Sequence, residues 1–236
     1  MRLKQAFKYQ ICSSFKAVGI YYSIMIAIRL AMVVIFVLSG NQKTNMSAME
    51  SNSMVFMGFL GVYSILDDFK FFLQNGYSRK SLIKLYTCQF LAVGAIISIV
   101  EIILAIATSS IMNYSSLFMQ LYGSQPLIMQ FLWLWGIYCI IGAVALLITI
   151  INFRLSKFSR IVIFIALPIA LVTLIPAIDH YLLQGVVMSA IFDFVLYFFG
   201  LQGSVNLVAP VINFIIVFII ACGLAYVAIR KMPVFK

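Results

Sequence analysis

The chain has 236 residues, of which 64% are hydrophobic and only 9% are charged, and its formal net charge is +10 at pH 7. Soluble domains average about 25% charged residues, so this composition excludes an ordinary water-soluble globular domain. The apolar residues occur in blocks long enough to cross a bilayer, which predicts an all-α integral membrane protein. The positive charges are spread between these blocks rather than clustered on one surface, so no nucleic-acid partner is expected.

The first element, residues 1–18, is predicted to be an amphipathic helix. Three lysines share one helical face, while Phe7, Ile11 and Phe15 line another. This arrangement favours a helix that lies along the membrane surface. The alternative is an ordinary positively charged N-terminal segment.

Six membrane-spanning helices are predicted to follow, and the whole of residues 1–236 then forms a single transmembrane domain. Between the last two spans, Val186–Gly200 is apolar but short. Counting it as a span would place the basic C-terminus outside, so a re-entrant or interfacial outer segment is predicted there. The six spans are expected at about 19–38, 54–72, 88–107, 129–151, 161–177 and 209–229.

The basic residues predict the orientation of the spans. Of the 16 lysines and arginines, Arg29 lies inside a span and Lys43 lies on the opposite side from the rest. Because short cytosolic segments carry the excess of Lys and Arg, both termini are predicted to be cytosolic. The residues on the predicted cytosolic side are Arg2, Lys4, Lys8, Lys16, Lys70, Arg79, Lys80, Lys84, Arg154, Lys157, Arg160, Arg230, Lys231 and Lys236.

On the predicted outer side, two features give expectations. Trp133 and Trp135 stand at the start of the fourth span, where an aromatic belt at the membrane surface is expected. Asp179 and His180 follow the fifth span and are expected to be exposed loop residues.

Sequence motifs argue against catalysis. There is one histidine and no H-E-x-x-H zinc site, no G-x-S-x-G nucleophile elbow and no phosphate-binding G-x-x-x-x-G-K-[ST] loop. The chain is therefore expected to be a non-catalytic subunit with no metal site and no directly bound cofactor. Asp67 and Asp68 stand beside Lys70, where a local ion pair is expected rather than an active site.

Arg29 and Glu101 are the ionisable residues deep within predicted spans. They lie about 15 and 20 Å from the cytosolic ends of their helices, which is near mid-depth. A lone charge there costs at least about 2.5–3.5 kcal/mol and normally faces a partner or an aqueous path. We expect the two to pair or to face a common conduit; the alternative is that Arg29 extends toward the membrane surface.

The loop between the second and third spans is the main polar interruption of the chain. Asn75-Gly76 predicts a tight break, and Ser78 is placed to cap the next helix. Lys80 and Lys84 lie one turn apart on that helix, and Leu82 and Leu85 are expected to offer apolar contacts to a partner. The alternative is a plain positively charged loop.

In layout, the chain resembles a bacterial permease subunit of the ABC-2 type. Such permeases have six spans, cytosolic termini, an amphipathic helix before the first span and a partly re-entrant segment before the last. The motif-like part of the resemblance is Gly76-Tyr77-Ser78-Arg79-Lys80, which is similar to the loop that docks on the ATPase. The compact size is most similar to small Gram-positive permeases that export amphipathic peptides, of the phenol-soluble-modulin or lantibiotic-immunity type.

The resemblance implies a function for this chain in the bacterial cytoplasmic membrane. It would be the permease of an ATP-driven exporter of amphipathic or antimicrobial peptides or other hydrophobic cargo, paired with a second, identical or sister permease. ATP and Mg²⁺ would be bound by a separate P-loop ATPase. The implied coupling residues are Asn75, Gly76, Tyr77, Ser78, Arg79, Lys80 and Lys84, with Arg154 and Lys157 in a second contact.

Three other functions stay open at this point. A secondary transporter or channel would work without an ATPase, but internal repeats and more intramembrane carboxylates would be usual. An immunity protein would bind a peptide without moving it. A membrane-embedded enzyme is disfavoured by the shortage of His and Glu residues.

Overall fold

The structure is a computed structural model and describes residues 2–39, 49–110, 114–182, 184–203 and 205–230. Within these ranges every regular element is helical, which confirms the predicted class. Lys43, Lys231 and Lys236, which contribute to the charge pattern, lie outside the described residues. The α-helices are α1 Arg2–Ser39, α2 Glu50–Tyr63, α3 Phe69–Gln74, α4 Arg79–Ser109, α5 Leu117–Tyr122, α6 Leu127–Arg154, α7 Lys157–Ile161, α8 Leu167–Leu182, α9 Val186–Phe198 and α10 Val208–Arg230, and π-helical turns occupy Ser64–Asp68 and Val162–Ala166.

Five helical stretches are long and apolar enough to cross a membrane: most of α1, all of α4, α6 and α10, and Lys157–Tyr181. The chain is thus a multi-pass membrane protein by length and composition. The predicted second span falls in α2, the π-helical turn and α3, which follow one another without a gap. Because the π-helical turn divides this run into shorter helices, the count of six spans stays a prediction. The predicted re-entrant segment forms a separate short helix, α9, and its place in the membrane also stays a prediction.

The predicted N-terminal helix and first span form one continuous helix in the structure. α1 has 38 residues and shows no break between Val18 and Gly19. At 1.5 Å per residue it is about 57 Å long, whereas the hydrocarbon core of a bilayer is about 30 Å thick. A helix of this length extends beyond the core or tilts strongly within it.

α6 is the central helix and packs against α2, α4 and α10. Glycines make these contacts close. A Cβ added at Gly61 of α2 would collide with the carbonyl oxygen of Gly142 on α6, and Gly142 in turn lies against the Phe90 ring of α4. Gly136 lies in the same way against Phe214 of α10. Small residues at these points let the helix backbones approach closely, as helices in membranes require.

The four basic segments of the chain lie at one end of the bundle. α4 and α6 are antiparallel, because Phe90 meets Gly142 whereas Gly94, further along α4, meets Cys139. The start of α4 and the end of α6 therefore share an end. The last turn of α10 lies at this end too, because its carbonyl groups accept hydrogen bonds from Arg79 of α4. The N-terminal part of α1 also lies toward this end, since Gln10 donates a hydrogen bond to Gln89 of α4. Which side of the membrane this end faces stays a prediction.

The predicted aromatic belt is wrong for Trp133, and for Trp135 it stays a prediction. The Trp133 side chain is buried among the rings of Phe118, Tyr122 and Phe214. Trp135 is partly buried, and its Nε1–H donates to the Leu91 carbonyl oxygen of α4 at 2.9 Å. Both indoles contact neighbouring helices, because the start of α6 packs against α4, α5 and α10.

The predicted exposed loop at Asp179 and His180 is also wrong, since both residues belong to α8. Asp179 is only 1% exposed, and its carboxylate oxygens accept from the backbone N–H groups of Val187 and Met188 at 2.8 and 2.9 Å. These are first-turn donors of α9, which would otherwise lack partners. Asp179 thus fixes α9 to the end of α8, while His180 is exposed.

Gly61→Ala and Gly58→Ala test the close packing of α2 on α6. An added methyl at Gly61 meets backbone, whereas one at Gly58 lies 3.7 Å from the Ile141 side chain, an ordinary contact. We expect Gly61→Ala to lower the free energy of unfolding by about 1–3 kcal/mol and Gly58→Ala to leave it unchanged or to raise it. Unfolding of the purified protein by denaturing detergent measures both. Equal stability of the two variants would contradict the packing.

Candidate functional site

The loop between α3 and α4 has the geometry predicted for it. Gly76 has φ of +78°, a conformation that favours glycine. Ser78 then caps α4, because its Oγ accepts from the Ser81 backbone N–H at 3.2 Å. Tyr77 is half-buried, with its ring edge-on to Phe72. The predicted break and cap are therefore confirmed, and Asn75 and Gly76 are exposed at the tip.

The basic residues that follow divide into two kinds. Arg79 donates from Nη1 to the carbonyl oxygens of Ile229 and Arg230, at 3.2 and 2.7 Å, and so joins the start of α4 to the last turn of α10. Cations interact favourably with such helix C-termini. Lys80 and Lys84, by contrast, are exposed.

The leucines of this segment do not face a partner. Leu82 is 0% exposed and Leu85 is 4% exposed, and both belong to the buried core. The expectation that they offer apolar contacts to another protein is therefore wrong. The face that α4 leaves open at this end is the one that carries Lys80 and Lys84.

A second loop, between α6 and α7, repeats the same local geometry. Ser156 caps α7 by accepting from the Ser159 backbone N–H at 3.2 Å, as Ser78 does for α4. Arg154 and Lys157 are both exposed. Since the end of α6 and the start of α4 lie at the same end of the bundle, the two capped loops and their cations face the same side.

Arg29 and Glu101 form an ion pair. Arg29 Nη2 lies 2.9 Å from Glu101 Oε2, and the two side chains are 6% and 1% exposed. Pairing was one of the two arrangements predicted, and it is confirmed. The pair joins α1 to α4 across the bundle.

The Glu101 carboxylate accepts hydrogen bonds from donors on two other helices, α1 and α2. Its Oε1 accepts from the hydroxyls of Tyr22 on α1, at 3.2 Å, and of Ser53 on α2, at 2.5 Å. Ser53 is also within 3.0 Å of the Tyr21 hydroxyl. A buried carboxylate is tolerated when its lone pairs are satisfied in this way.

Glu50, which the sequence analysis does not identify, extends this cluster toward α5. Its side chain is fully buried, and Oε2 accepts from the Leu117 backbone N–H at 2.6 Å, the first residue of α5. Tyr114 lies nearby, with its ring centroid 5.8 Å from Arg29 Cζ. A glutamate just before a predicted span gives no sign in the sequence that it is buried.

A second polar cluster lies nearer the basic end, between α1, the π-helical turn Ser64–Asp68 and α4. Gln10 Nε2 donates to Asp68 Oδ2 at 2.6 Å and to Gln89 Oε1 at 3.1 Å. Gln89 Nε2 donates in turn to Ser14 Oγ at 2.8 Å, and Ser64 Oγ lies 3.3 Å from Gln89 Oε1. The carboxylate of Asp68, expected beside Lys70, is therefore directed across to α1. Polar side chains at helical spacing within apolar segments are the signal that could have identified this cluster.

A pocket of about 580 Å³ opens beside this cluster, between α1 and α2. One end is lined by Gln10, Asp68 and Gln89, and the other by apolar and aromatic side chains that include Phe56 and Phe59. The pocket is half-open rather than enclosed. Its size is in the usual range for small-molecule sites, which is about 300–1,000 Å³.

Comparison of the chain with protein-family models, with curated proteins and with solved structures found no match. The described ranges contain no group of three or more His, Cys, Asp or Glu side chains that could hold a metal ion.

The variants Arg29→Met and Glu101→Gln test the buried ion pair. Each leaves one charge buried without its partner, so we expect each to lower the free energy of unfolding by about 3–5 kcal/mol. The double variant should lose less than the two single losses combined, by about 1–3 kcal/mol, because no unpaired charge then remains. Denaturing-detergent titration measures all four proteins.

Asp193→Asn is the control for this cycle, since Asp193 is exposed on α9, and it should unfold like the unmodified chain. Additive losses from Arg29→Met and Glu101→Gln would show that the two side chains do not interact.

Proposed function

We propose that this chain is the membrane-spanning permease subunit of an ATP-driven exporter of the bacterial cytoplasmic membrane. The observation that carries the proposal is the capped loop at Asn75–Ser78, followed by exposed Lys80 and Lys84. The chain has no phosphate-binding loop, so a motor of this kind would be a separate P-loop ATPase that holds ATP and Mg²⁺.

The contacts of this loop would transmit a movement of the loop to the helix bundle. Ser78 holds the start of α4, and Arg79 fastens that start to the end of α10. α4 and α10 both pack on α6. A push on the loop would therefore reach three long helices, and the loop at Arg154 and Lys157 offers a second contact at the same end. This connection supports coupling to a cytosolic partner.

The assembly would contain a second permease, identical or a sister chain. The span-length stretch Lys157–Tyr181 has no buried residue in its most apolar window, although it is as apolar as the packed helices. Such a surface is suited to another membrane helix or to lipid. The cargo would be an amphipathic or antimicrobial peptide or another hydrophobic molecule that reaches the permease through the membrane.

One observation favours secondary transport as the second candidate. Glu50, Glu101 and Arg29 form a buried ionisable cluster, and ionisable groups inside membranes often mark ion or proton paths. Transport that depends on an ion gradient and persists without any ATPase would favour this candidate over the first.

The double variant Lys80→Glu/Lys84→Glu tests the coupling assignment. Both lysines are exposed, so reversal of their charge should leave the fold intact while it repels an acidic docking surface. We expect ATPase co-purification from native membranes to fall about tenfold or more, since like charges in a contact cost several kcal/mol. Immunoblotting or mass spectrometry of the purified material measures the ATPase.

Lys16→Glu is the matched control, because Lys16 is exposed on α1 away from the loop. Arg79 is left unchanged in this test, since its hydrogen bonds to α10 give it a structural role of its own. Unchanged ATPase recovery with the double variant, or the absence of any P-loop ATPase from the purified wild-type material, would refute the assignment.

A further inference from the structure

We propose that the Glu50 side chain is a proton-binding site and that loss of its proton releases α5 from the bundle. Glu50 is the first residue of α2. α5 follows the end of α4 and precedes the start of α6, so it lies at the end of the bundle opposite to the basic end. Proton binding here needs no ATPase and is therefore independent of the proposed coupling. It assigns a specific group to the proton path that the second candidate function requires.

The carboxyl group of Glu50 is buried and only half of it is hydrogen-bonded. Oε2 accepts from the Leu117 backbone N–H at 2.6 Å. Oε1 is also buried, and among the described residues it has no hydrogen-bond partner. An ionised carboxylate in this position would hold a charged oxygen without a donor, whereas a protonated carboxyl group carries no charge. The geometry therefore favours the neutral acid.

The charges around Glu50 favour the same state. The charged groups that act on it within the described ranges are Arg29 of α1 and Glu101 of α4. These two form an ion pair, so an ionised Glu50 would be an unpaired negative charge. Tyr114, from the segment before α5, and Tyr138, from α6, also face Glu50 and are uncharged at neutral pH. One proton on Glu50 thus makes the buried cluster electrically neutral.

The hydrogen bonds of Arg29 are also those expected beside an uncharged Glu50. Its guanidinium group donates to Glu101 through Nη2, while its Nε and Nη1 atoms donate to no acceptor in the described part of the chain. An ionised Glu50 would attract these N–H groups, because charge-assisted hydrogen bonds are about twice as strong as neutral ones. Instead, the spare donors of Arg29 and the spare acceptor of Glu50 stay apart.

The proton on Glu50 would be exchanged near neutral pH. Glu50 precedes the predicted second span, 54–72. Its removal from water raises its pKa from 4.5 to about 7; the charge of Glu101 adds to the rise, whereas the Leu117 N–H and the charge of Arg29 oppose it. Between these two pKa values the folded chain keeps a proton that the unfolded chain has lost. The free energy of unfolding therefore falls as the pH rises from about 4.5 to about 7.

α5 is the element that ionisation of Glu50 would displace. It contains only six residues, Leu117–Tyr122, and its first backbone N–H is the one bound to Glu50. Its Phe118 and Tyr122 rings contact the indole of Trp133, which is 1% exposed. A buried unpaired carboxylate is strongly unfavourable, and movement of this short helix would let water reach it. The same movement would uncover Trp133.

Quenching of Trp133 fluorescence by acrylamide tests the proposal, with the full chain in phosphatidylcholine nanodiscs. Trp135→Phe leaves Trp133 as the only tryptophan, and His180→Gln removes the single histidine, which titrates in the same range. From about pH 5.5 to 8.5, the ionised fraction of a group with a pKa of about 7 rises from about 3% to about 97%. We expect the quenching constant to rise at least about twofold, with a midpoint near pH 7, as local opening exposes the indole.

Glu50→Gln and Asp193→Asn in this background separate Glu50 from other groups. Glutamine keeps an acceptor for the Leu117 N–H but cannot ionise, so quenching should stay low at both pH values. Asp193 is exposed on α9, and its replacement should leave the pH dependence unchanged. Thermal unfolding is the second measurement: the unfolding temperature should fall more between about pH 5.5 and 8.5 with Glu50 present than in Glu50→Gln.

Three results would overturn the proposal: quenching that does not change with pH, an equal change in Glu50→Gln, or an equal pH dependence of the two unfolding temperatures. If Glu50→Gln does not fold, the midpoint decides, because a value below about pH 5.5 is that of an ordinary exposed carboxyl group. None of these measurements involves an ATPase. The proton site can therefore stand if the export function fails, and the reverse also holds.

Discussion

The ion pair between Arg29 and Glu101 is the contact on which the position of α1 depends. Helices in a bilayer gain little from the hydrophobic effect when they associate, because lipid tails are as apolar as their side chains. Burying two charges costs several kcal/mol per ion, and here Tyr22 and Ser53 offset that cost with hydrogen bonds to the same carboxylate. The ion pair therefore fixes the position of α1 against α4 and α2, since any other placement leaves a buried charge without a partner.

The alignment of α1 with α4 at the ion pair is kept toward the basic end of the bundle. The sequence separation of 79 that joins Tyr22 to Glu101 also joins Gln10 to Gln89, so α1 and α4 run parallel in constant register. The helices around α6 are held differently, by glycines that let backbones touch. α1 makes buried polar contacts with α4 as well as apolar ones, such as the stacking of the Tyr21 ring on Phe56, and the pocket lies along its boundary with α2. The bundle thus joins a part packed through glycines to a helix whose register is fixed by buried polar groups.

Features set by local chemistry could be predicted from the sequence. The break at Gly76, the cap at Ser78 and the helical class follow from residue preferences, and a partner for Arg29 follows from the cost of a lone charge in a membrane. Features that depend on which face of a helix packs inward could not be predicted in this way. Because the long helices are apolar on all sides, no sequence periodicity distinguishes the face that packs in the core from the face toward lipid. The burial of Leu82 and Trp133 could therefore not be predicted from the sequence. Gln10 and Asp68 resembled residues near a membrane surface, and only the fold brings them together.

The proposed function requires the end of the bundle that carries Lys80 and Lys157 to face the cytosol. Cysteine accessibility measures this most directly, in a variant whose four native cysteines are replaced by alanine. Single cysteines at Lys80, Lys157 and Gln120, which are all exposed, are treated with a membrane-impermeant maleimide in intact and in permeabilised cells. The account predicts labelling of Gln120→Cys in intact cells, and of Lys80→Cys and Lys157→Cys only after permeabilisation. Labelling of Lys80→Cys in intact cells would contradict it.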